Sequence, residues 1–405
     1  MIKCRICESD VEPFMSFGKM PIANGFLAKE QFSDEYFFEL EPVFCERCHT
    51  FQIGQQPDPE KLFHANYAFF SRTSKRMVEH FKSYAKWVVD NFIKSNDSFV
   101  VEIGSNDGIL LENFARVGMR HLGVEPSANV AEEGRKHGVN TMNAFFNAGT
   151  AGKVIADEGQ ADVIMAANAI CHIPDLKGLA EGIKKLLKPD GVFIFEDPYL
   201  GDMIEKTSYD QIYDEHVFIF SVHAVMNIFD RYDLELIDIK PQVTHGGSMR
   251  YVLGQKGEHS VFSSVKSQLD HEKELGLHLG SSYQLFKNNC EKSREELVQL
   301  LESEKKKGRR VVGYGATSKS TTVLNYCGIG PEHLDFISDT TPGKQNKFSP
   351  GMHIPVKPYD VFKNNYPDSA LLFAWNHKEE IMQKETSFKE SGGVWMSYVP
   401  KVGII

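Results

Sequence analysis

Cys4, Cys7, Cys45 and Cys48 form two Cys-x-x-Cys pairs with 37 residues between them. Two residues inside each pair let a tight turn aim both thiolates at one ion. Two such turns complete a tetrahedral Zn(Cys)4 site. Four thiolates leave no open coordination position, so the zinc is expected to staple a small module and not to catalyse. His49, beside Cys48, is a minor alternative ligand. A redox Cys-x-x-Cys needs a surrounding βαβ pattern, which this stretch lacks. Cys171, Cys290 and Cys327 are scattered, and an odd total of seven suits a metal framework in a reducing compartment, not a disulfide one.

A different chemistry begins at Val100-Val101-Glu102-Ile103-Gly104-Ser105-Asn106-Asp107-Gly108, where an apolar strand runs into a turn. Gly104 and Gly108 permit a tight turn and close approach of a ligand to the backbone. The spacing is not the G-x-G-x-x-G of dinucleotide folds. Glu102 and Asp107 make the turn acidic, which disfavours a pyrophosphate and suits a cation. S-adenosylmethionine carries both a sulfonium and an ammonium, and is the ligand expected here, with Asn106 in the same turn. A generic ribose-binding Rossmann turn is the blander alternative. Glu125 ends the next strand and is placed to accept hydrogen bonds from both ribose hydroxyls. Ligands lie at the carboxyl ends of parallel strands, so Asn168 and Glu196 are expected in the same pocket. Phe145 and Phe146 either flank an adenine or serve as plain core aromatics.

Gln211-Ile212-Tyr213-Asp214-Glu215-His216 is dense in titratable side chains. Methylation of carbon requires that a C–H bond be ionised first, hence a base and a stabilised enolate. A histidine oriented by a carboxylate suits the proton transfer, and a tyrosine hydroxyl suits the oxyanion. His216, Glu215 and Tyr213 are therefore catalytic candidates. The alternative is a hydrogen-bonded core histidine beside a solvated glutamate. His172, just past Asn168, and Tyr67, before the first long helix, are further candidates.

A second glycine-rich turn, Gly313-Tyr314-Gly315-Ala316-Thr317-Ser318-Lys319-Ser320-Thr321-Thr322, follows a strand and opens a helix. Backbone N–H groups at a helix N-terminus, with hydroxyls and Lys319, make a phosphate cradle. Gly315, Ser318 and Lys319 are its expected contacts with a diphosphate, against a turn that serves packing alone. The G-x-x-x-x-G-K-[ST] pattern is absent, which disfavours nucleotide hydrolysis. Asn376, at another strand end, faces the same cleft as a weaker candidate.

These residues need elements to hold them. Apolar Met77, Phe81, Tyr84, Val88 and Phe92 recur at helical steps. After them strands and helices alternate: SFVVEIGS, the helical GILLENFARVG, HLGVEPS, ADVIMAANAI, the helix DLKGLAEGIKKLLKPDG stopped at Pro189-Asp190-Gly191, and GVFIFEDP. That rhythm predicts a parallel, doubly wound sheet. Residues 262 to 307 are polar and helical, with Phe286, Cys290, Leu297 and Leu301 on one face. The rhythm restarts at RRVVGYGA, HLDFISD and ALLFAWN. The lysines of KKKGRR suit a helix C-terminus closed by Gly308. The expected division is a strand-poor zinc module over 1–60, a methyl-donor domain over 61–260, a helical connector over 261–307 and a smaller unit over 308–405. At 405 residues, 41% hydrophobic and 25% charged, the chain has ample core. A net charge of −10 argues against nucleic acid as a main partner. No apolar run approaches the length of a membrane helix and no signal pattern opens the chain, so a cytoplasmic protein is expected.

The order CxxC…CxxC, EIGSNDG, NAICHIPDL, YDEHVFIFS, HGGSMR, GYGATSKSTT resembles the sugar C-methyltransferases, which act on nucleotide-linked 4-keto-deoxyhexoses. The resemblance spans nearly the whole chain. It implies an α/β fold: a Rossmann-like methyltransferase domain, a small N-terminal zinc module and a second, smaller C-terminal Rossmann-like domain that binds the sugar nucleotide. It implies S-adenosylmethionine and structural zinc. On that resemblance His216 is the base that removes the proton α to the C4 ketone. Tyr213, Glu215, His172 and Tyr67 line the sugar, and His245 to Arg250 form a turn near the cleft that binds substrate. One departure is NYAFFSRTSKRM around Tyr67, where the family is richer in Tyr and Ser; Arg72 is a large cation in that stretch. A methyltransferase acting on oxygen or nitrogen of another small molecule is one rival. A zinc-stapled binding or assembly module is the other.

Overall fold

The helical stripe that starts at Met77 is an 18-residue helix, Lys75–Phe92, in a computed structural model of the chain that describes residues 2–58, 62, 71–73 and 75–405. Phe81, Tyr84, Ala85 and Val88 of that helix are buried against one face of a sheet, together with Val100, Val163, Ile194 and Val252. Tyr67 lies outside the described residues.

The sheet has seven strands: β7 (Phe99–Ile103), β8 (Arg120–Val124), β9 (Thr141–Met142), β10 (Ala161–Ala167), β11 (Leu187–Pro198), β13 (Leu234–Gln242) and β14 (Ser248–Gln255), in the order β13-β14-β11-β10-β7-β8-β9. β7 to β11 run parallel, and β14 and β13 close one edge antiparallel. All five residues of β7 are buried, as helices on both faces require of a parallel strand. The chain leaves β7 toward β8 on one side and later returns to β10 on the other. That reversal opens a crevice at the carboxyl ends of the two strands. The helix Leu176–Leu186 stops earlier than the Pro-Asp-Gly signal suggests, and Pro189 to Gly191 fall inside β11. GILLENFARVG is mostly turn, with helix only at Glu112–Ala115.

The first 53 residues carry six strands of two to four residues: β1 (Ile2–Lys3), β2 (Asp10–Val11), β3 (Lys19–Pro21), β4 (Phe37–Glu39), β5 (Pro42–Cys45) and β6 (Thr50–Ile53). The expected strand-poor module is therefore corrected: such short strands are held by pairing and leave no alternation to read. β6 also pairs with β12 (Phe218–Ile219), two residues beyond His216, so the cysteine-bearing module borders the Tyr213–His216 loop directly.

The helical stretch after 262 is two helices, Ser263–Glu274 and Gly280–Lys306, and Phe286, Cys290, Leu297 and Leu301 of the second are buried. A second sheet follows: β15 (Val311–Tyr314), β16 (Ile337–Asp339), β17 (Val356–Pro358), β18 (Ser369–Leu372), β19 (Val394–Ser397) and β20 (Gly403–Ile404), ordered β17-β16-β15-β18-β19-β20 and parallel except at β20. No helix among the described residues is long and apolar enough to cross a membrane.

Candidate active site

A cavity of about 510 Å³ opens at the carboxyl ends of β7, β8, β10 and β11 and runs to the start of the helix Ser318–Cys327. At its β7 end, Gly104 has φ +70° and a Cβ there would lie 2.6 Å from the Cβ of Ala169, so the turn requires glycine. Asn106, also left-handed at φ 47°, accepts the backbone N–H groups of Asp107 (2.9 Å) and Ser71 (3.2 Å) through Oδ1. Glu125 accepts backbone N–H groups on both oxygens, from Asn106 at 2.9 Å and Ser127 at 2.8 Å. Glu102 is buried, and Oε2 has no partner among the described residues. Burial, reinforced by Asp107 and Glu125, pushes its carboxyl well above the usual range. Burial also raises Glu125. A cationic ligand at this end relieves that crowding of acids, so the residues present fit a sulfonium cofactor. Phe145 and Phe146 both border the cavity; Phe145 is exposed, while Phe146 belongs to the core.

Asp107 and Gly108 shape this turn from behind. Asp107 accepts the Arg72 backbone N–H at 2.9 Å, and the Arg72 guanidinium donates to Glu112 at 2.5 Å and to the Asp107 carbonyl at 3.2 Å. Arg72 is thus turned under the Glu102–Gly108 turn and does not border the cavity. Gly108 packs on Val139, 2.8 Å from where a Cβ would sit.

The other end of the cavity is bordered by Tyr213, Glu215, His216, His172, His245, Ser318 and Lys319. The Nδ1 of His216 lies 2.7 Å from the Gln211 carbonyl oxygen. A carbonyl only accepts, so Nδ1 carries the proton and Nε2 presents its lone pair. The Tyr213 hydroxyl donates to that Nε2 at 2.8 Å. Burial, with His172, Lys319 and His245 adding to it, depresses the His216 pKa well below 6.5. Burial also lowers His172 to about 4. Burial and then Lys319 lower His245 to about 3. All three imidazoles are neutral at pH 7. His172 lies with its ring 5.2 Å from His216, and His245 meets Asn168 Nδ2 at 2.5 Å across the cavity. The arrangement offers an unprotonated base, a phenol and a lysine in one enclosed space shared with the donor turn.

Two expected substrate contacts sit off the cavity. Arg250 donates to Glu196 at 2.6 Å, and its guanidinium lies 3.9 Å over Tyr84. The other Glu196 oxygen meets His80 at 2.6 Å. Glu196 borders the cavity, but both of its oxygens are held by these two side chains. Gly315, at φ +92°, forms the bend of the second turn without reaching the cavity. Asn376 gives its carbonyl to Arg76 at 3.3 Å.

The four cysteine Sγ atoms lie within 4.8 Å of one another. Cys4 and Cys48 are 3.5 Å apart and Cys7 and Cys45 3.4 Å, close to the roughly 3.8 Å of a tetrahedron with Zn–S bonds near 2.3 Å. Gln52 Nε2 and the Ile6 N–H both point at Cys4 Sγ, at 3.1 and 3.5 Å, as donors to a metal-bound thiolate do. The set fits zinc. His49 is not part of it: its ring stacks on His223 at 4.3 Å.

Three family models match consecutive stretches of the chain: "Putative zinc binding domain" over residues 4–63, "Methyltransferase domain" over 77–239 and "C-methyltransferase C-terminal domain" over 243–400. The C-methyltransferase NovU of Streptomyces niveus is 31% identical over 406 residues, which cover 100% of this chain and 96% of that protein. The chain belongs to the C-methyltransferase family. A ubiquinone biosynthesis O-methyltransferase of Actinobacillus pleuropneumoniae is 31% identical over 111 residues, 25% of this chain and 47% of that protein. A crystal structure of magnesium protoporphyrin IX methyltransferase from Synechocystis PCC 6803 with bound SAH covers 44% of this chain and 82% of its own, at 13% identity and TM-score 0.34. The enzyme is an S-adenosylmethionine-dependent methyltransferase with a zinc-binding amino-terminal module.

Several residues of this C-methyltransferase site carry no local signal. Asn24 reaches the cavity from the amino-terminal module and donates to Glu215 at 2.6 Å, while the Ala23 N–H meets both Asp214 oxygens at 3.2 and 3.3 Å. Asp210 accepts Trp375 Nε1 at 2.6 Å and the Tyr398 hydroxyl at 2.7 Å on one oxygen. Asp210 precedes Gln211, whose carbonyl sets the His216 tautomer. An Asn-Gly pair at 24–25 and two aromatics far down the chain are the only traces in the sequence.

Proposed function

We propose that the enzyme methylates the carbon next to the ketone of a nucleotide-linked 4-keto-deoxysugar through an enolate. The observation that carries this reading is the neutral His216, its Nε2 lone pair paired with Tyr213, in the cavity that also holds the acidic donor turn. An O-methyltransferase has a hydroxyl to deprotonate; a C–H next to a ketone needs a positioned base in a dry site. In this reading His216 takes the α-proton at Nε2, and Tyr213, Glu215, His172, His245, Ser318 and Lys319 surround the sugar. Gly104, Asn106, Glu125 and Asn168 hold the donor, with Glu102 facing its positive charge. When bound, S-adenosylmethionine supplies an electrophilic methyl group on a sulfonium and leaves as a neutral thioether. Holding both reactants in one cavity converts their encounter into an oriented, effectively unimolecular step.

The unit over 308–405 presents the sugar nucleotide to the unit over 61–260, with 1–60 the zinc module and 261–307 the connector. A cytoplasmic location suits seven cysteines of which none is in a disulfide. The test is His216→Asn. The variant is expected to bind S-adenosylmethionine as the wild type does and to lose both methyl transfer and solvent exchange of the sugar α-hydrogen. Wild-type rates in that variant, or a labelled methyl found on oxygen in the product, overturn the reading.

A further inference from the structure

The sequence predicts Lys319 in a diphosphate cradle, and its surroundings favour a different anion. Several donors of the turn that carries it are already engaged, although Ser318 still borders the cavity. The Ala316 N–H is taken by the Asp339 carboxylate at 2.7 Å, and the Ser320 N–H by Thr317 Oγ1 at 3.1 Å. The Thr321 and Thr322 hydroxyls donate to the Ala23 and Ile212 carbonyls at 2.8 and 3.0 Å. A carboxylate beneath the turn also opposes a doubly charged ligand there.

The Lys319 ammonium is directed elsewhere. It donates to the His245 carbonyl at 2.9 Å and lies 4.8 Å from the centre of the Trp375 ring. His245 is the residue that meets Asn168 across the cavity. Lys319 borders the cavity together with Tyr213 and His216, and is near enough to His216 to contribute to its lowered pKa. Among the described residues no carboxylate oxygen lies within ion-pair distance of it. Burial lowers the Lys319 pKa from the usual 10.5; Asp210, while holding Trp375 and Tyr398, counters that from further off, and Lys206 adds to it. An ammonium without an ion-pair partner, facing the space where a base removes a proton, is placed for charge that develops during the reaction.

We propose that Lys319 is a catalytic residue whose ammonium stabilises the enolate oxygen, and is not a ligand of the sugar nucleotide diphosphate. The inference rests on the ketosugar reading above. As the α C–H bond breaks, its proton passes to His216 Nε2 and the electron pair moves through the new C=C onto the C4 oxygen. Lys319 donates a hydrogen bond to that oxygen and keeps its own proton. The C=O re-forms as the new C–C bond is made.

Lys319→Met and Lys319→Arg test this, with dTDP-4-keto-6-deoxyglucose as the ketosugar and with thymidine and uridine diphosphate as diphosphate probes. Loss of one oxyanion donor costs about 10²- to 10³-fold in turnover. Lys319→Met is expected to lose that much in both methyl transfer and α-hydrogen exchange in D2O at saturating ketosugar. Its dissociation constants for S-adenosylhomocysteine and both nucleoside diphosphates should stay within about twofold of wild type, which also shows that the variant is folded. Lys319→Arg, which keeps the charge, should recover part of the exchange rate. Weakened diphosphate binding with an unchanged exchange rate at saturation overturns the proposal, as does wild-type exchange in Lys319→Met. If the wild-type enzyme itself catalyses neither exchange nor methylation of the ketosugar, the ketosugar reading falls and takes this inference with it.

Discussion

Glu102→Gln should move cofactor affinity and the stability of the free protein in opposite directions, because this carboxyl is buried, its Oε2 has no partner among the described residues, and its pKa is raised by burial, Asp107 and Glu125. A folded-state pKa above the ordinary 4.5 means that the free folded chain holds a proton the unfolded chain has released. Glu102 therefore works against folding increasingly as pH rises from about 4.5 through its raised value. The glutamine has no charge to bury, so free Glu102→Gln should melt higher than wild type, by a margin that widens with pH over that window. Cofactor binding reverses the comparison. The positive charge of S-adenosylmethionine favours the ionised carboxylate, so binding to the wild type expels a proton and tightens as pH rises. A hydrogen bond to a charged group contributes about 1.5–3 kcal/mol, which corresponds to roughly 10- to 150-fold in Kd. The assay is titration calorimetry with S-adenosylmethionine between pH 6 and 8, in phosphate and in Tris. Buffers of different ionisation heat count the protons released. Wild type should show proton release, Glu102→Gln less of it and a Kd weakened by that factor. Equal affinity and equal proton release in the two proteins would refute the reasoning, as would a free variant that melts lower than wild type.

Two further outcomes follow from the reacting end. Trp375→Phe removes one of two donors to the Asp210 oxygen that both share, a loss of about 1.5–3 kcal/mol by the same measure. Turnover should fall because Gln211 and His216 follow Asp210, while S-adenosylhomocysteine affinity, read by calorimetry, stays unchanged. The depressed pKa of His216 keeps its imidazole neutral at pH 6.5, so the acid limb of the kcat/KM profile should lie below that pH. A limb centred at 6.5 or higher assigns the titration to another group.

Much of this site was legible because its parts are local. A Cys-x-x-Cys pair declares its geometry within four residues, and the Glu102–Gly108 turn shows its acidity and its glycine requirement in one strand-to-helix step. Arg250 and Lys319 were harder to read. An arginine after two glycines looks like an anion contact until β14 is paired with β11 and places it on Glu196. A lysine at a helix start fits a phosphate as well as an oxyanion, and only Asp339, twenty residues on, separates the two. The Asn24–Glu215 bond spans 191 residues and the Trp375–Asp210 bond 165. Such contacts arise from the docking of whole sheets, which no local periodicity encodes.

These distant contacts also change what the zinc can be said to do. The loop carrying the Tyr213–His216 pair belongs by sequence to the methyltransferase unit, yet both of its ends are held from outside. On the amino-terminal side, Asp210 is gripped by Trp375 and Tyr398 of the second sheet's unit. On the carboxyl side, Phe218 and Ile219 pair with Gln52 and Phe51, a few residues from Cys48. Between them, Ala23 and Asn24 hold the adjacent carboxylates Asp214 and Glu215, and the Ala23 carbonyl is tied in turn to Thr321. A tautomer fixed by one backbone carbonyl is only as well defined as the loop bearing that carbonyl. A zinc held by Cys4, Cys7, Cys45 and Cys48 would have no open position to offer the substrate. Its place would be beside the strand edge, Phe51 and Gln52, on which this loop is built.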